Sequence, residues 1–280
     1  MKTQYGFTRF DTSSEFKSWL SKQSVSRTVN KLQVHHTGLP DYSCFYKANG
    51  TTEDELTRQY NMKTYHVKTN GWNDIAQHFT VFPNGKIVTG RSLNSNPAGI
   101  TGWNTGAICV EIYGNFDKGK DTMTQAQKEA VIMLYGELCK KFRLTPSTST
   151  IRPHAWFTSG GTYLGDYIAG KSRKTCPGTN FMGFGNKKSA FENNFIPLIK
   201  SYIGGNTTPT TGFKPYIVRT TASSLNGRKG PGTNYAVVQT VPKDTAVTIV
   251  EEAMNGSTKW GKTASGYWIS LAYTKFIRYS

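Results

Sequence analysis

Three short runs hold residue types that can bind a metal: Val34-His35-His36-Thr37, Arg152-Pro153-His154 and Lys174-Thr175-Cys176-Pro177-Gly178. One residue from each, His35, His154 and Cys176, would give a zinc ion three protein ligands and leave a fourth position for water, the donor count of catalytic zinc sites. That chemistry would make the chain a metallohydrolase. Spacing alone leaves the other reading open, because single histidines this far apart also serve as ordinary core or surface residues.

The elements around these runs must bring them together. Lys31 to His35 reads as a strand that delivers His35 at its end, where open sheets often place site residues. Thr52-Glu53-Asp54-Glu55 reads as a capping box that opens a helix to about Tyr60. The stretches 76–82 and 86–90 flank Pro83-Asn84-Gly85, and Asn-Gly is a strong hairpin signal. In the strand 108–113, alternation puts Ile108, Val110 and Ile112 on one face and Cys109, Glu111 and Tyr113 on the other. Thr124 to Gln127 opens an amphipathic helix with Val131, Leu134, Leu138 and Phe142 along one side. A helical stretch follows at 188–203. The pattern is mixed α/β, a central mixed sheet flanked by helices.

From Gly204 to Gly212 the chain is small and polar, with four threonines and Pro209, the composition of an interdomain linker. We therefore divide it into domains 1–203 and 213–280 joined by 204–212. The second domain shows short strands at 216–219, 236–241, 246–250, 260–263 and 267–270, which fits a small barrel or sandwich with Trp260 and Trp268 in its core.

With 34 basic and 17 acidic residues the net charge is +17, which favours a polyanionic partner. A nucleic acid and an anionic, teichoic-acid-bearing wall both fit, as does a merely basic surface. No nucleic-acid motif is present, so no nucleic-acid partner is expected. Met1 to Phe10 lack the apolar run of a secretory signal, and no segment is long enough to span a membrane. The expectation is synthesis in a cytoplasm, with reduced thiols and no membrane insertion. Cys109 and Cys139 read as core thiols, and Cys44 is undecided.

In order along the chain, Val34-His35-His36-Thr37, His78-Phe79-Thr80-Val81 with its Pro83-Asn84-Gly85 turn, the strand 107–114, Arg152-Pro153-His154 and Lys174-Thr175-Cys176-Pro177-Gly178 resemble the zinc-dependent N-acetylmuramoyl-L-alanine amidases, the type-2 amidases related to peptidoglycan recognition proteins. The resemblance implies an amidase/PGRP-like fold, Zn2+ held by His35, His154 and Cys176, Glu111 as general base and Lys174 as the group facing the oxyanion. It implies hydrolysis of the amide between N-acetylmuramic acid and the L-alanine of the stem peptide by a zinc-activated water. Some relatives carry a catalytic tyrosine where this chain has Gln77, which shifts the base role onto Glu111. His36 and His78 read as structural. Trp72, Trp103 and Trp156 are candidate groove residues, with core packing as the alternative for each.

Leu225-Asn226-Gly227-Arg228-Lys229-Gly230-Pro231 resembles the Leu-Asn-Val-Arg-x-Gly-Pro motif of bacterial SH3-like domains, with Gly227 in place of valine, a change expected to loosen the strand packing. That resemblance implies cell-wall binding, with Tyr235, Tyr267 and Tyr273 as candidate contacts. The combined order is that of a monomeric phage or prophage endolysin that acts on the peptidoglycan of Gram-positive bacteria, held in the host cytoplasm until lysis. A secreted autolysin, a non-catalytic peptidoglycan-recognition protein and a cysteine-type wall peptidase using Cys176 and His154 are the alternatives.

Overall fold

The computed structural model describes residues 1–47, 51–205, 215–255 and 258–279. They fall into two compact units, Met1–Pro209 and Thr210–Ser280. From residue 206 onward, the segment read as a linker lies outside the described residues.

In the first unit β1 (Lys2–Gln4) and β2 (Phe7–Phe10) form a hairpin, followed by α1 (Ser13–Ser21), β3 (Lys31–His36), α2 (Tyr42–Phe45), α3 (Glu55–Thr64), β4 (Phe79–Val81), β5 (Ile87–Thr89), β6 (Ala107–Ile112), α4 (Gln125–Phe142), β7 (Ile151–Pro153), α5 (Lys188–Ala190) and α6 (Ile196–Ile203). The strands make one mixed sheet in the order β1-β2-β5-β4-β6-β3-β7. Pairing is parallel for β4 with β6, β6 with β3 and β3 with β7, and antiparallel elsewhere. Asn-Gly turns the β4–β5 hairpin, with Gly85 N–H donating to Phe82 O at 2.9 Å.

The period-two pattern of the central strands decides what each face does. Leu32, Val34, Ile108, Val110 and Ile112 share one core with Val131, Leu134 and Leu138 of α4 and with Phe16 and Leu20 of α1. Thr124 caps α4, its hydroxyl accepting from Gln127 N–H at 3.1 Å. On the other side α3 covers Phe7 and Val88 through Leu56 and Met62, in a separate core. The expected Thr52 box is not formed: α3 starts at Glu55, and Asp54 caps it by accepting from Thr57 N–H at 2.9 Å. Asp54 wins because its carboxylate directly precedes the first helical turn, where an anion is favoured.

The second unit is antiparallel throughout, with β8 (Tyr216–Thr220), β9 (Ser224–Arg228), β10 (Val237–Pro242), β11 (Ala246–Asn255), β12 (Thr258–Thr263), β13 (Trp268–Ser270) and β14 (Thr274–Tyr279). Val218, Leu225, Val241, Val247, Ile249 and Ile269 form its core, and Trp260 and Trp268 are buried. The order β10-β9-β13-β12-β11-β8-β14 does not return on itself, so the described pairing is an open sheet and not a closed barrel. The side of Gly227 that a valine would fill is covered by another side chain, although the β9–β10 register shifts beside it. The Tyr267 ring lies on Gly227, and a Cβ there would stand 2.5 Å from the ring.

Candidate metal centre

The face of β6 and β3 opposite α4 is polar. Parallel pairing sets Gln33 beside Cys109 and His35 beside Glu111, and the β4 register adds Thr80 on the other side of Glu111. Arg152 of β7 pairs with Gln33, and the chain leaves that strand through Pro153 directly into His154. The loop carrying Cys176 closes over the ends of these strands. Its carbonyl accepts from Ala155 N–H at 2.7 Å, and its thiol sulfur accepts from His36 N–H at 3.3 Å.

Potential ligand atoms of His35, His154 and Cys176 lie within 4.8 Å of one another. His35 Nδ1 is 3.7 Å from Cys176 Sγ, and the two imidazole rings stand 5.1 Å apart between centroids. A tetrahedral zinc with ordinary Zn–N and Zn–S lengths spans about 3.6 Å between nitrogen and sulfur, so the His35–Cys176 spacing already matches the ion and His154 lies close enough to complete the donor set. Two nitrogens and a sulfur also suit zinc better than the oxygen-seeking magnesium or calcium.

The surroundings set the charge states. Burial, reinforced by the Lys174 cation, lowers His154 to about 4 and holds His35 well below the usual imidazole range. Burial pushes the Cys176 thiol up. Glu111 is raised to about 7 by burial, with Lys174 pulling the other way. Solvent still reaches part of Glu111. Lys174 itself is exposed at the rim.

The remaining expected residues sort clearly. His36 uses Nδ1 to accept from Phe116 N–H at 3.1 Å, and burial lowers it to about 4. His78 accepts from Cys109 N–H at 2.9 Å and sits 2.9 Å from Ser95 O, which makes it a strut between strand and loop. Gln77 is fully buried and donates to Thr80 Oγ1 at 2.9 Å. Trp156 must be corrected: its ring is fully buried against Phe191 and its Nε1 donates to Asn186 O at 2.8 Å, so it fills the core and lines no groove. Trp103 is half-buried, between Phe157 and the Lys31 and Arg152 cations. Trp72 is 39% exposed and packs at a tilt against His66. In the second unit Tyr235 and Tyr273 are exposed, whereas Tyr267 is half-buried on Gly227 and offers less open surface than expected.

Sequence reasoning missed two supports of the centre. Asp117 accepts from Thr175 Oγ1 and from Thr179 N–H, both at 2.9 Å, and so clamps the loop on either side of Cys176. Gln33 stands behind His35, its Oε1 3.3 Å from His35 Nε2. The available signal was a glutamine between Leu32 and Val34 in a strand that becomes buried.

Residues 25–179 match the family model described as N-acetylmuramoyl-L-alanine amidase (Amidase_2), which is more than half of the chain. The chain belongs to that family. Similar curated proteins include peptidoglycan-recognition protein SC2 of Drosophila melanogaster, 28% identical over 164 residues, which covers 59% of this chain and 76% of the relative. Peptidoglycan-recognition protein 1 of Holotrichia diomphalia is 24% identical over 124 residues, covering 43% and 59%. Among solved structures, Drosophila PGRP-LB gives a TM-score of 0.41 at 19% identity, covering 56% of this chain and 78% of that one. The endolysin amidase LysCS from Clostridium intestinale gives 0.38 at 23%, covering 55% and 78%.

Proposed function

We propose that the first unit is a zinc-dependent N-acetylmuramoyl-L-alanine amidase. One observation carries this reading: the three expected ligands converge beside Glu111, a partly buried carboxylate paired in register with His35, within the segment matched by the family model. His35, His154 and Cys176 would hold the zinc. Zinc bound there would activate water and polarise the scissile carbonyl.

The chain's own residues do the rest. Glu111, poised near the working pH, takes the proton of the attacking water and passes it to the leaving alanine amine. The Lys174 ammonium offsets negative charge on the carbonyl oxygen as it develops. One water is consumed, the carbonyl C–N bond breaks, and the products are a lactyl carboxylate and a stem peptide with a free amino terminus.

The second unit is proposed as an SH3-like wall-binding module. Its Leu225 to Pro231 run supports this, because Leu225 enters the core while Arg228 Nη1 donates to Thr233 O and Tyr235 O and shapes the following loop. Tethering such a module to an amidase raises the enzyme's local concentration at the wall. A charge of +17 supports an anionic wall as the partner; on this proposal the chain is a monomeric phage or prophage endolysin that acts on Gram-positive walls after release from the host cytoplasm. Among the described residues no helix is long and apolar enough to cross a membrane. Relatives named peptidoglycan-recognition proteins support a second reading, recognition of peptidoglycan, which requires no turnover.

Digestion of purified Gram-positive peptidoglycan followed by mass spectrometry of the fragments tests the proposal. Stem peptides that begin with alanine, alongside glycan stripped of peptide, are expected. Cleavage within the peptide would refute the amidase reading, and wall binding without cleavage would favour the recognition protein.

A further inference from the structure

The buried Gln33 has no place in the chemistry above, yet its amide is fully committed. Its Nε2 donates to Trp103 O at 2.9 Å and to Asn104 Oδ1 at 3.1 Å. Asn104 Oδ1 is in turn fixed as an acceptor by Gly99 N–H and Ile100 N–H, each at 3.0 Å. Turning the glutamine amide over would set an oxygen against two oxygens, so Oε1 is locked toward His35 Nε2. A carbonyl oxygen only accepts, so His35 must carry its proton on Nε2. That leaves the Nδ1 lone pair on the side of Cys176 Sγ, 3.7 Å away.

Gly99 completes the device. A Cβ there would lie 2.0 Å from Gln33 Oε1 and 2.9 Å from His35 Nε2, so any side chain at 99 would occupy the position of the glutamine oxygen. Tyr135 OH also donates to Gln33 O at 2.8 Å and ties the same residue to α4.

We infer that Gln33 is a positioning residue that selects the metal-binding tautomer of His35, and that loop 99–104, with glycine at 99, exists in this form to aim it. The inference rests on reading His35, His154 and Cys176 as a zinc site. Partners of this kind fix ring orientation and raise ligand basicity, and their loss lowers metal affinity about 10–100-fold.

The test uses the full chain with Gln33→Met, which keeps length and apolar volume but removes the acceptor, and with Gly99→Ala, which keeps the glutamine but fills its oxygen's place. Long-range 1H–15N NMR on the metal-free proteins reports the tautomer, and competition with a chelator reports zinc affinity. Wild type should show one Nε2–H tautomer at His35. Both variants should show a mixture and bind zinc about 10–100-fold more weakly. If Gly99→Ala fails to fold, the Gln33→Met pair of readings decides alone. A Gln33→Met protein that melts earlier but keeps the wild-type tautomer and zinc affinity would assign Gln33 a purely structural role and overturn the inference. Wild type that binds no zinc would overturn the metal reading instead, while loss of the single tautomer in Gln33→Met would still support the positioning role.

Discussion

Glu111→Gln separates the electrostatics of the site from its catalysis. Glu111 sits in register between Thr80 and His35, and burial raises its carboxyl from 4.5 to about 7. In the unfolded chain the group ionises near 4.5. Below that value both states hold the proton and nothing is lost. As the pH rises the unfolded state ionises first, and the folded protein loses stability until the pH has passed about 7. The gap of 2.5 units (about 7 less 4.5) corresponds to a ceiling of roughly 3 kcal/mol. Most of it falls between pH 5 and 8.5. Glutamine has nearly the same shape and does not titrate. Urea unfolding of the metal-free proteins, followed by tryptophan fluorescence, should therefore show the variant gaining on wild type by up to that amount from pH 5 to 8.5. The second unit is identical in both chains and cancels in the comparison. Added zinc should shrink the effect, because a nearby cation favours the carboxylate. The same variant should keep its zinc and lose turnover by about 10²–10⁴-fold, the usual size of a general-base contribution. A stability difference that ignores pH would mean Glu111 is solvated and ionised in the folded state, and the argument for a poised base would fall.

Cys176→Ser should lower zinc affinity by more than the about 100-fold that outer partners command, since it removes a ligand outright; unchanged metal content would sink the ligand assignment. Trp156→Ala should destabilise the first unit by about 3–5 kcal/mol, as large core truncations do, measured by urea unfolding. A variant of wild-type stability with weakened wall binding would return Trp156 to a groove. Gly227→Val should destabilise the second unit by about 1–3 kcal/mol through overpacking against Tyr267, seen as a lower melting temperature and a shifted Tyr267 ring resonance. Unchanged values would show that the ring is free to move aside.

What could be read from sequence was whatever depends on local pattern. Alternation placed Ile108, Val110 and Ile112 on one face and Glu111 on the other, and the β3 run placed His35, so the site face was legible before the pairing of β3 with β6 was known. The hairpin β1–β2 was not legible. Its strands are three and four residues long, and its turn uses Tyr5 and Gly6 at φ of 55° and 79° where the recognisable signal would be Asn-Gly. Gln33 was invisible for a different reason. Its role exists only once loop 99–104 has folded onto β3 some seventy residues away in the chain. Trp156 misled because an aromatic beside a ligand histidine looks like a groove wall, and only packing against Phe191 reveals a core residue.

The direction of the proton affinities bears on the chemistry more than the proximity of the groups does. A cysteine nucleophile paired with histidine needs the thiol pushed down and the imidazole held protonated, so that a thiolate–imidazolium pair persists. Here both shifts run the other way. Burial drives the Cys176 thiol up, and burial with the Lys174 cation drives His154 to about 4. At neutral pH the residues alone are a neutral thiol and two neutral imidazoles, weak as a nucleophile pair. They are well prepared for a divalent cation, because each imidazole already offers a lone pair and only one proton must leave for the thiolate to form. The His36 N–H aimed at Cys176 Sγ stabilises that thiolate once formed. The same shifts weaken Cys176 and His154 as a nucleophile pair and leave both imidazoles with a free lone pair for a cation, while burial raises Glu111 to about 7 beside them.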